Sequence, residues 1–307
     1  MEEAADPEPG RGEVVVRLRA ASVNSGDARI RGCRFPRGMG LAGRLALGWG
    51  GPRQKILGTD GAGVVESVGP DVERWRVGDK ALVVKGVAMG CHAERVLVRS
   101  GDVLVRKPES LSWTEAVSLP FGGQTANYFL KKAGLKAGDE VLVIGAAGAV
   151  GSAALQWIAR AGARAIAVTR PLNSGWVRQL GASEVLDYAS TDYAAGSRRF
   201  DLVMDCVGVG TFRSLRHLVN PGGAYLAVAG GVPEFLARSA GGIRCVTGVT
   251  PESSEVVEEL LGLAASGEFR PMIGDCFPFD SLPSAHTSVD GGHKRGVTVV
   301  EICPKNP

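Results

Sequence analysis

Apolar residues fall along this chain in two different rhythms. Between about residue 12 and residue 105 they come in short runs broken by glycine: EVVVRLRAASV (13–23), GAGVVESVG (61–69) and ALVVKGV (81–87). Such runs predict a small, irregular, mostly antiparallel β domain. From Gly138 onward a second rhythm takes over. The apolar strands DEVLVIG (139–145), ARAIAVTR (163–170), SEVLDY (183–188), FDLVMDCVG (200–208), AYLAVAG (224–230) and IRCVTGV (243–249) alternate with helix-length segments such as SAALQWIARAG (152–162) and FRSLRHLV (212–219). This alternation predicts a parallel sheet covered on both faces, and six strands suit a doubly wound Rossmann sheet. A last helix, SSEVVEELLGLAASG (253–267), follows, and the tail 276–302 regains the β texture. The expected fold class is α/β. Residues 108–267 form the Rossmann domain, and 1–107 form a mostly-β domain completed by 268–307.

Composition narrows the functions available. With 35 Lys and Arg against 32 Asp and Glu, the net charge of +3 is small and dispersed, so nucleic acid is not an expected partner. The first residues, MEEAADPEPGRGE, are acidic and lack the apolar core of a signal peptide. No segment offers the length of uninterrupted apolar sequence that a membrane span needs. The six cysteines are scattered without a C-x-x-C pair, which predicts separate thiols rather than a zinc knuckle or disulfide framework. These features point to a soluble cytoplasmic protein with no membrane partner.

The stretch VLVIGAAGAVG (141–151) carries the first chemical signal. Aligned as A-A-G-A-V-G, it puts Ala146 where a dinucleotide fingerprint has its first glycine, and keeps the other two as Gly148 and Gly151. Gly148 is expected to let the backbone approach a pyrophosphate, and Gly151 to let helix pack on strand. The first-turn amides, including those of Ala149 and Val150, would face the phosphates at the helix N-terminus. The next strand ends in Val168-Thr169-Arg170, with no acid to bond a ribose 2′-hydroxyl. Arg170, helped by Thr169 and Asn173, suits a 2′-phosphate instead, so the expected cofactor is NADPH.

Four segments then carry a family resemblance: AASVNSGDARIRG (20–32), ILGTDGAGVVESVGPDVERWRVGDKALV (56–83), KPESLSWTEAVSLPFGGQTANYFL (107–130) and GGHKRGVTVVEI (291–302). In this order they resemble the zinc-independent quinone oxidoreductase (zeta-crystallin-like) branch of the medium-chain dehydrogenase/reductase superfamily. The resemblance implies a GroES-like catalytic domain beside the Rossmann domain. It puts Asn24 and Asp27 beside the nicotinamide, Thr125 near its carboxamide or ribose, and Tyr188 near the adenosine ribose. A structural role for Asp27 and core packing for Tyr188 stay open. Cys206-Val207 and Ala229-Gly230, at strand ends, would line the cofactor cleft. Lys294 and Arg295 read as solvated surface charges, with contact to phosphates as the alternative, and His92, His217, His286 and His293 as surface or packing residues.

Zinc-dependent relatives carry a cysteine and a His-Glu pair where this chain reads Val23-Asn24-Ser25-Gly26-Asp27 and Gly58-Thr59-Asp60. Neither segment offers a soft ligand, so no metal is expected. Members of the branch commonly begin further upstream, so the β domain is expected to be trimmed or its edge supplied by another subunit. The loop 33–50 lacks the tyrosine that some enoyl-reducing cousins use as proton donor; it is apolar with a few arginines.

The chemistry expected is hydride transfer from NADPH to a small hydrophobic conjugated carbonyl, a quinone or an enone. An NADPH-binding protein without turnover, and a biosynthetic enzyme acting on a polyketide-like intermediate, are the alternatives. The strand at 244–249, expected at the sheet edge, suggests a homodimer.

Overall fold

The structure, a computed structural model, describes residues 2–49, 51–195, 197–237 and 239–303. The chain divides into two compact units. The first comprises Met1–Arg34, Arg44–Phe121 and Glu252–Pro307, and the second Phe35–Gly43 and Gly122–Pro251.

In the first unit, strands β1 (Val14–Val23), β2 (Asp60–Val68), β3 (Lys80–Val84), β4 (Arg95–Val98) and β5 (Val103–Arg106) pair antiparallel in a sheet that the C-terminal segment completes. In the second unit the strands are β6 (Glu140–Ile144), β7 (Arg164–Thr169), β8 (Ala182–Asp187), β9 (Phe200–Asp205), β10 (Val219–Ala227) and β11 (Arg244–Val246). The C-terminal segment then adds β12 (Ile273–Pro278) and β13 (Val297–Glu301) to the first unit.

The first sheet runs β12-β13-β1-β2-β3-β5, with β4 also on β1. Its long strand β1 lies against β2 along most of its length, while β4 and β13 divide its other side. Val16, Leu18, Ala21, Val65, Val83, Val96 and Val300 meet in the core there. The return of the C-terminus to this unit follows the hydrophobic pattern, although the tail also carries a helix, Leu282–Asp290, that its β texture concealed. Ala285 and Val289 on that helix are what the core recruits.

The expected domain limits at 107/108 and 267/268 differ from this division. Helix Ser254–Ala265 buries Val257, Leu260 and Leu261 and packs against β5, so it groups with the β-rich unit. An amphipathic stripe says that a helix covers something apolar without saying which sheet it covers.

The second sheet is wholly parallel in the order β11-β10-β9-β6-β7-β8. Counting from β6, this is the doubly wound 3-2-1-4-5-6 order, whose reversal lies between β6 and β9. The strands read as near-continuous apolar runs because both faces are covered. Leu142, Ile144, Ile166, Val168, Val203, Leu218 and Tyr225 form one core. β11 lies at the edge of the sheet, as expected.

Candidate functional site

The buried strand β6 runs into the glycine turn. Gly145 has φ +78°, the left-handed region, and its amide donates to Val168 O at 3.2 Å. A Cβ on Gly145 would lie 2.7 Å from Val207 Cγ1. The tight turn therefore falls on Gly145, one residue before the alanine that interrupts the fingerprint. Ala146 is fully buried and the turn accommodates it. The doubled signal, a glycine directly after the strand and another three residues on, is what marks Gly145 in the sequence.

Gly148 caps helix Ala149–Arg160, which begins three residues earlier than the sequence pattern suggests. The backbone of Gly148 is ordinary, at φ −75°, and a Cβ there would meet only Gly145 O, at 3.5 Å. The chain itself leaves that direction open. Gly151 differs, because a Cβ there would come within 2.4 Å of Gly145 O and 2.6 Å of Ala146 Cα. Close helix–strand packing requires that glycine. The hydrogen bond from Ser152 N–H to Gly148 O, at 2.9 Å, starts the helical ladder. The amides of Ala149, Val150 and Gly151 precede it at the positive end of the helix dipole.

Beside the turn, the strand ends bring together most of the residues singled out in the sequence. Asn173 Nδ2 donates to Thr169 Oγ1 at 3.2 Å, and Arg170 Nε donates to Tyr188 OH at 2.7 Å. These four residues thus meet at the carboxyl ends of β7 and β8, with Tyr188 at the surface rather than in the core. Cys206 and Val207 follow β9, and the Cys206 amide donates to Ile144 O at 3.1 Å. Burial pushes the Cys206 thiol far up, so it is held as a neutral group. Ala229 and Gly230 follow β10, and a Cβ on Gly208 would lie 3.2 Å from that of Ala229. Thr125 lies on helix Pro120–Ala133, three residues after Gly122, where a Cβ would come 2.3 Å from Ala149 O. An open glycine, three amides at a helix start and a guanidinium with hydroxyl and amide neighbours fit a dinucleotide.

In the β-rich unit the candidates are spent differently. Asn24 caps helix Ser25–Arg31: its Oδ1 accepts from the amides of Gly26 and Asp27, and Asp27 Oδ2 accepts the Asn24 amide at 2.8 Å. Asn24 Nδ2 donates to Thr59 Oγ1 at 2.7 Å. Thr59 and Ser22 in turn donate to Asp60 Oδ2, at 2.9 and 2.7 Å. Asn24, Asp27 and Ser22 are fully buried, and both ends of the Asn24 amide are engaged within the chain. Burial pushes the Asp27 carboxyl up, and it raises that of Asp60 to about 7, with Glu252 adding repulsion and the two hydroxyls opposing.

Three residues read in the sequence as packing or surface groups join this cluster. His92 Nε2 lies 2.8 Å from Ser22 O, and its ring meets that of His286 edge-on at 5.2 Å. Lys294 is not a free surface charge: it is half-buried, its Nζ lies 3.4 Å from Val23 O, and burial lowers its pKa to about 8. Ser22, Thr59 and Asp60 gave no chemical signal in the sequence, since their meeting depends on strand pairing. Among the described residues, no three His, Cys, Asp or Glu side chains are grouped to hold a metal.

Known proteins share this architecture along nearly its whole length. The family model "Alcohol dehydrogenase GroES-like domain" matches residues 10–133, and "Zinc-binding dehydrogenase" matches residues 180–300. The mitochondrial NAD(P)H oxidoreductase RTN4IP1 of Mus musculus is 32% identical, over 94% of this chain and 82% of its own. A quinone oxidoreductase of Pseudomonas aeruginosa is 30% identical, over 95% of this chain and 92% of its own. The solved quinone oxidoreductase of Coxiella burnetii superposes with a TM-score of 0.86 at 27% identity, covering 98% of this chain and 93% of that one. The chain belongs to the medium-chain dehydrogenase/reductase superfamily and, within it, to the quinone oxidoreductase branch. It is an NAD(P)H-dependent oxidoreductase with a nicotinamide cofactor. No helix among the described residues is long and apolar enough to cross a membrane.

Proposed function

We propose that the protein is a zinc-independent, NADPH-dependent reductase of a conjugated carbonyl, a quinone or the C=C bond of an enone. The observation that carries the cofactor choice is the Arg170–Tyr188 contact at the end of β7, a strand that itself ends without an acid. Asp187, in register with Thr169 on β8, accepts from Ala189 N–H and Ser190 Oγ of its own loop. The phenol holds the guanidinium at the strand end, and Thr169 and Asn173 add neutral hydrogen-bonding groups beside it. A 2′-phosphate gains a charge-assisted contact there.

The nicotinamide, when bound, supplies a hydride, and the acceptor takes one proton from water to complete the two-electron reduction. This chain's residues bind and orient. The helix amides of Ala149, Val150 and Gly151 receive phosphate oxygens beside Gly148, and Thr125, Cys206, Val207, Ala229 and Gly230 border the cofactor. Asn24 and Asp27, tied into the capping box, fix the backbone of their own unit rather than exchange protons with substrate. Independence from zinc is supported by segments 23–27 and 58–60, which carry amide, hydroxyl and carboxylate groups but no thiol or imidazole. Although His92 and His286 lie beside the cluster, no three His, Cys, Asp or Glu side chains among the described residues are grouped around a common point.

The test is NADPH oxidation against a panel of quinones and α,β-unsaturated carbonyls, with and without a chelator. Turnover that follows stoichiometric zinc, or that runs with simple ketones alone, would overturn the reading. We also propose a homodimer paired along the β11 edge, because an exposed edge invites a two-fold partner. Light scattering that gives a monomer at micromolar concentration would contradict it. For location we propose the cytoplasm, and fractionation into mitochondria, as the name of the mouse relative indicates for that protein, would overturn this.

A further inference from the structure

The loop Cys206–Gly210 is built around one carboxylate. Asp205 ends β9 in register with Ile144 on β6 and Ala227 on β10, at the reversal of strand order, and it is fully buried. Its Oδ1 accepts the amides of Val207 and Gly208 at 3.0 and 2.7 Å. Its Oδ2 accepts the amide of Gly210 at 3.0 Å and the Tyr225 hydroxyl at 3.1 Å. Gly208, at φ +77°, supplies the left-handed residue that turns the loop back on itself. The outcome is a fixed position for Val207, which is 48% exposed and whose Cγ1 lies 2.7 Å from where a Cβ on Gly145 would stand.

In a sheet of this order, the first three strands serve one mononucleotide and the last three the other. Arg170 stands at the end of the second strand, where the adenosine ribose is recognised, so the β9 side faces the nicotinamide half. We propose that Asp205 is a positioning residue for the nicotinamide half of the cofactor: it gathers the amides of Val207, Gly208 and Gly210 and so holds Val207 beside the glycine turn. The inference rests on the reading that puts the adenosine half at Arg170. A carboxylate is needed because three N–H donors converge on two oxygens of one side chain. An amide presents only one oxygen and leaves a buried donor unpaired.

The experiment measures dissociation constants of NADPH and of 2′-phospho-ADP-ribose, which lacks the nicotinamide. It compares the wild-type protein with Asp205→Asn, Val207→Ala and Tyr225→Phe, with a thermal melt of each. The pair NADH and ADP-ribose is run in parallel. Asp205→Asn is expected to shrink the advantage of the dinucleotide over the fragment roughly tenfold while fragment affinity holds, and Val207→Ala roughly threefold. Tyr225→Phe leaves the three amides bonded and should keep the wild-type ratio.

An unchanged ratio in Asp205→Asn and Val207→Ala, or equal losses for dinucleotide and fragment, would make Asp205 a plain core carboxylate. A loss in Tyr225→Phe as large as that in Asp205→Asn would move the effect to the phenol and overturn the proposal. Should Asp205→Asn fail to fold, Val207→Ala decides alone. Failure of the Arg170 reading shows separately, as equal wild-type binding of ADP-ribose with and without the 2′-phosphate.

Discussion

In the β-rich unit, Ser22, Asn24, Asp27, Thr59 and Asp60 bond to one another, and none is more than 8% exposed. At the strand ends of the parallel sheet, Arg170 and Tyr188 stand at the surface, and a Cβ on Gly148 would make only one ordinary contact, with Gly145 O at 3.5 Å. Polar groups therefore do different work in the two units. A polar group whose hydrogen-bonding atoms are engaged within the chain, as those of Asn24 are, fixes backbone, and one at the surface of a strand end is open to a ligand. Asp27 Oδ1, buried without a partner, is the exception in the cluster. This difference makes the parallel-sheet turn the stronger candidate for cofactor recognition and makes the buried cluster a frame.

The sharpest test of that difference is a pair of glycine substitutions. Gly148→Val is expected to leave a folded protein and to abolish cofactor binding, because on the proposed reading the added side chain takes the place of the pyrophosphate. Gly151→Val is expected to unfold or strongly destabilise the chain, since its Cβ would strike backbone at 2.4 Å. A thermal melt with a cofactor titration reads both, and cofactor binding by Gly148→Val at wild-type affinity would reduce the turn to a structural bend.

The buried cluster makes its own pH prediction. The Asp60 carboxyl titrates near 7 in the folded chain against an ordinary 3.8, because burial disfavours its charged form. The folded state thus holds a proton that the unfolded state has already released. The stability this adds is full below the unfolded value and is lost as pH rises through 7. Ser22, Thr59, Glu252 and Asp27 face the group and are common to wild type and variant. Relative to wild type, Asp60→Asn should therefore gain about 2–3 kcal/mol between pH 5 and pH 8. Parallel melting profiles at the two pH values, with no change in the difference, would show the carboxyl to be an ordinary acid.

Arg170→Asp tests the open end of the comparison. Loss of a charge-assisted contact worth about 1.5–3 kcal/mol should weaken NADPH roughly ten- to a hundredfold and erode or reverse its preference over NADH. Equal wild-type dissociation constants for the two cofactors would remove the basis for the preference.

The smallest effect is expected at Asn24. Asn24→Ala removes a helix N-cap and should cost about 1 kcal/mol, seen as a lowered melting temperature. The activity of the folded fraction should fall far less than the loss of a group acting on substrate would bring. A collapse of turnover with an unchanged melt would return Asn24 to the reacting atoms.

Local pattern alone carried much of this protein. The switch from glycine-broken β runs to strand–helix alternation identified both units, because side-chain periodicity records which faces are buried. Gly148, Gly151 and Arg170 were legible because each depends on neighbours a few residues away: a strand before, a helix after, and the end of the next strand. Tertiary structure decided what depends on distant partners. Pairing of β1 with β2 brings Ser22 and Asn24 to Thr59 and Asp60, a separation over which no periodicity operates. The parallel register of β6 with β9 sets Val207 against Gly145, and the return of the C-terminus buries Lys294 beside Val23. Helix 254–265 found its sheet the same way: its sequence records that a face must be buried, and only the packed chain supplies the surface that buries it.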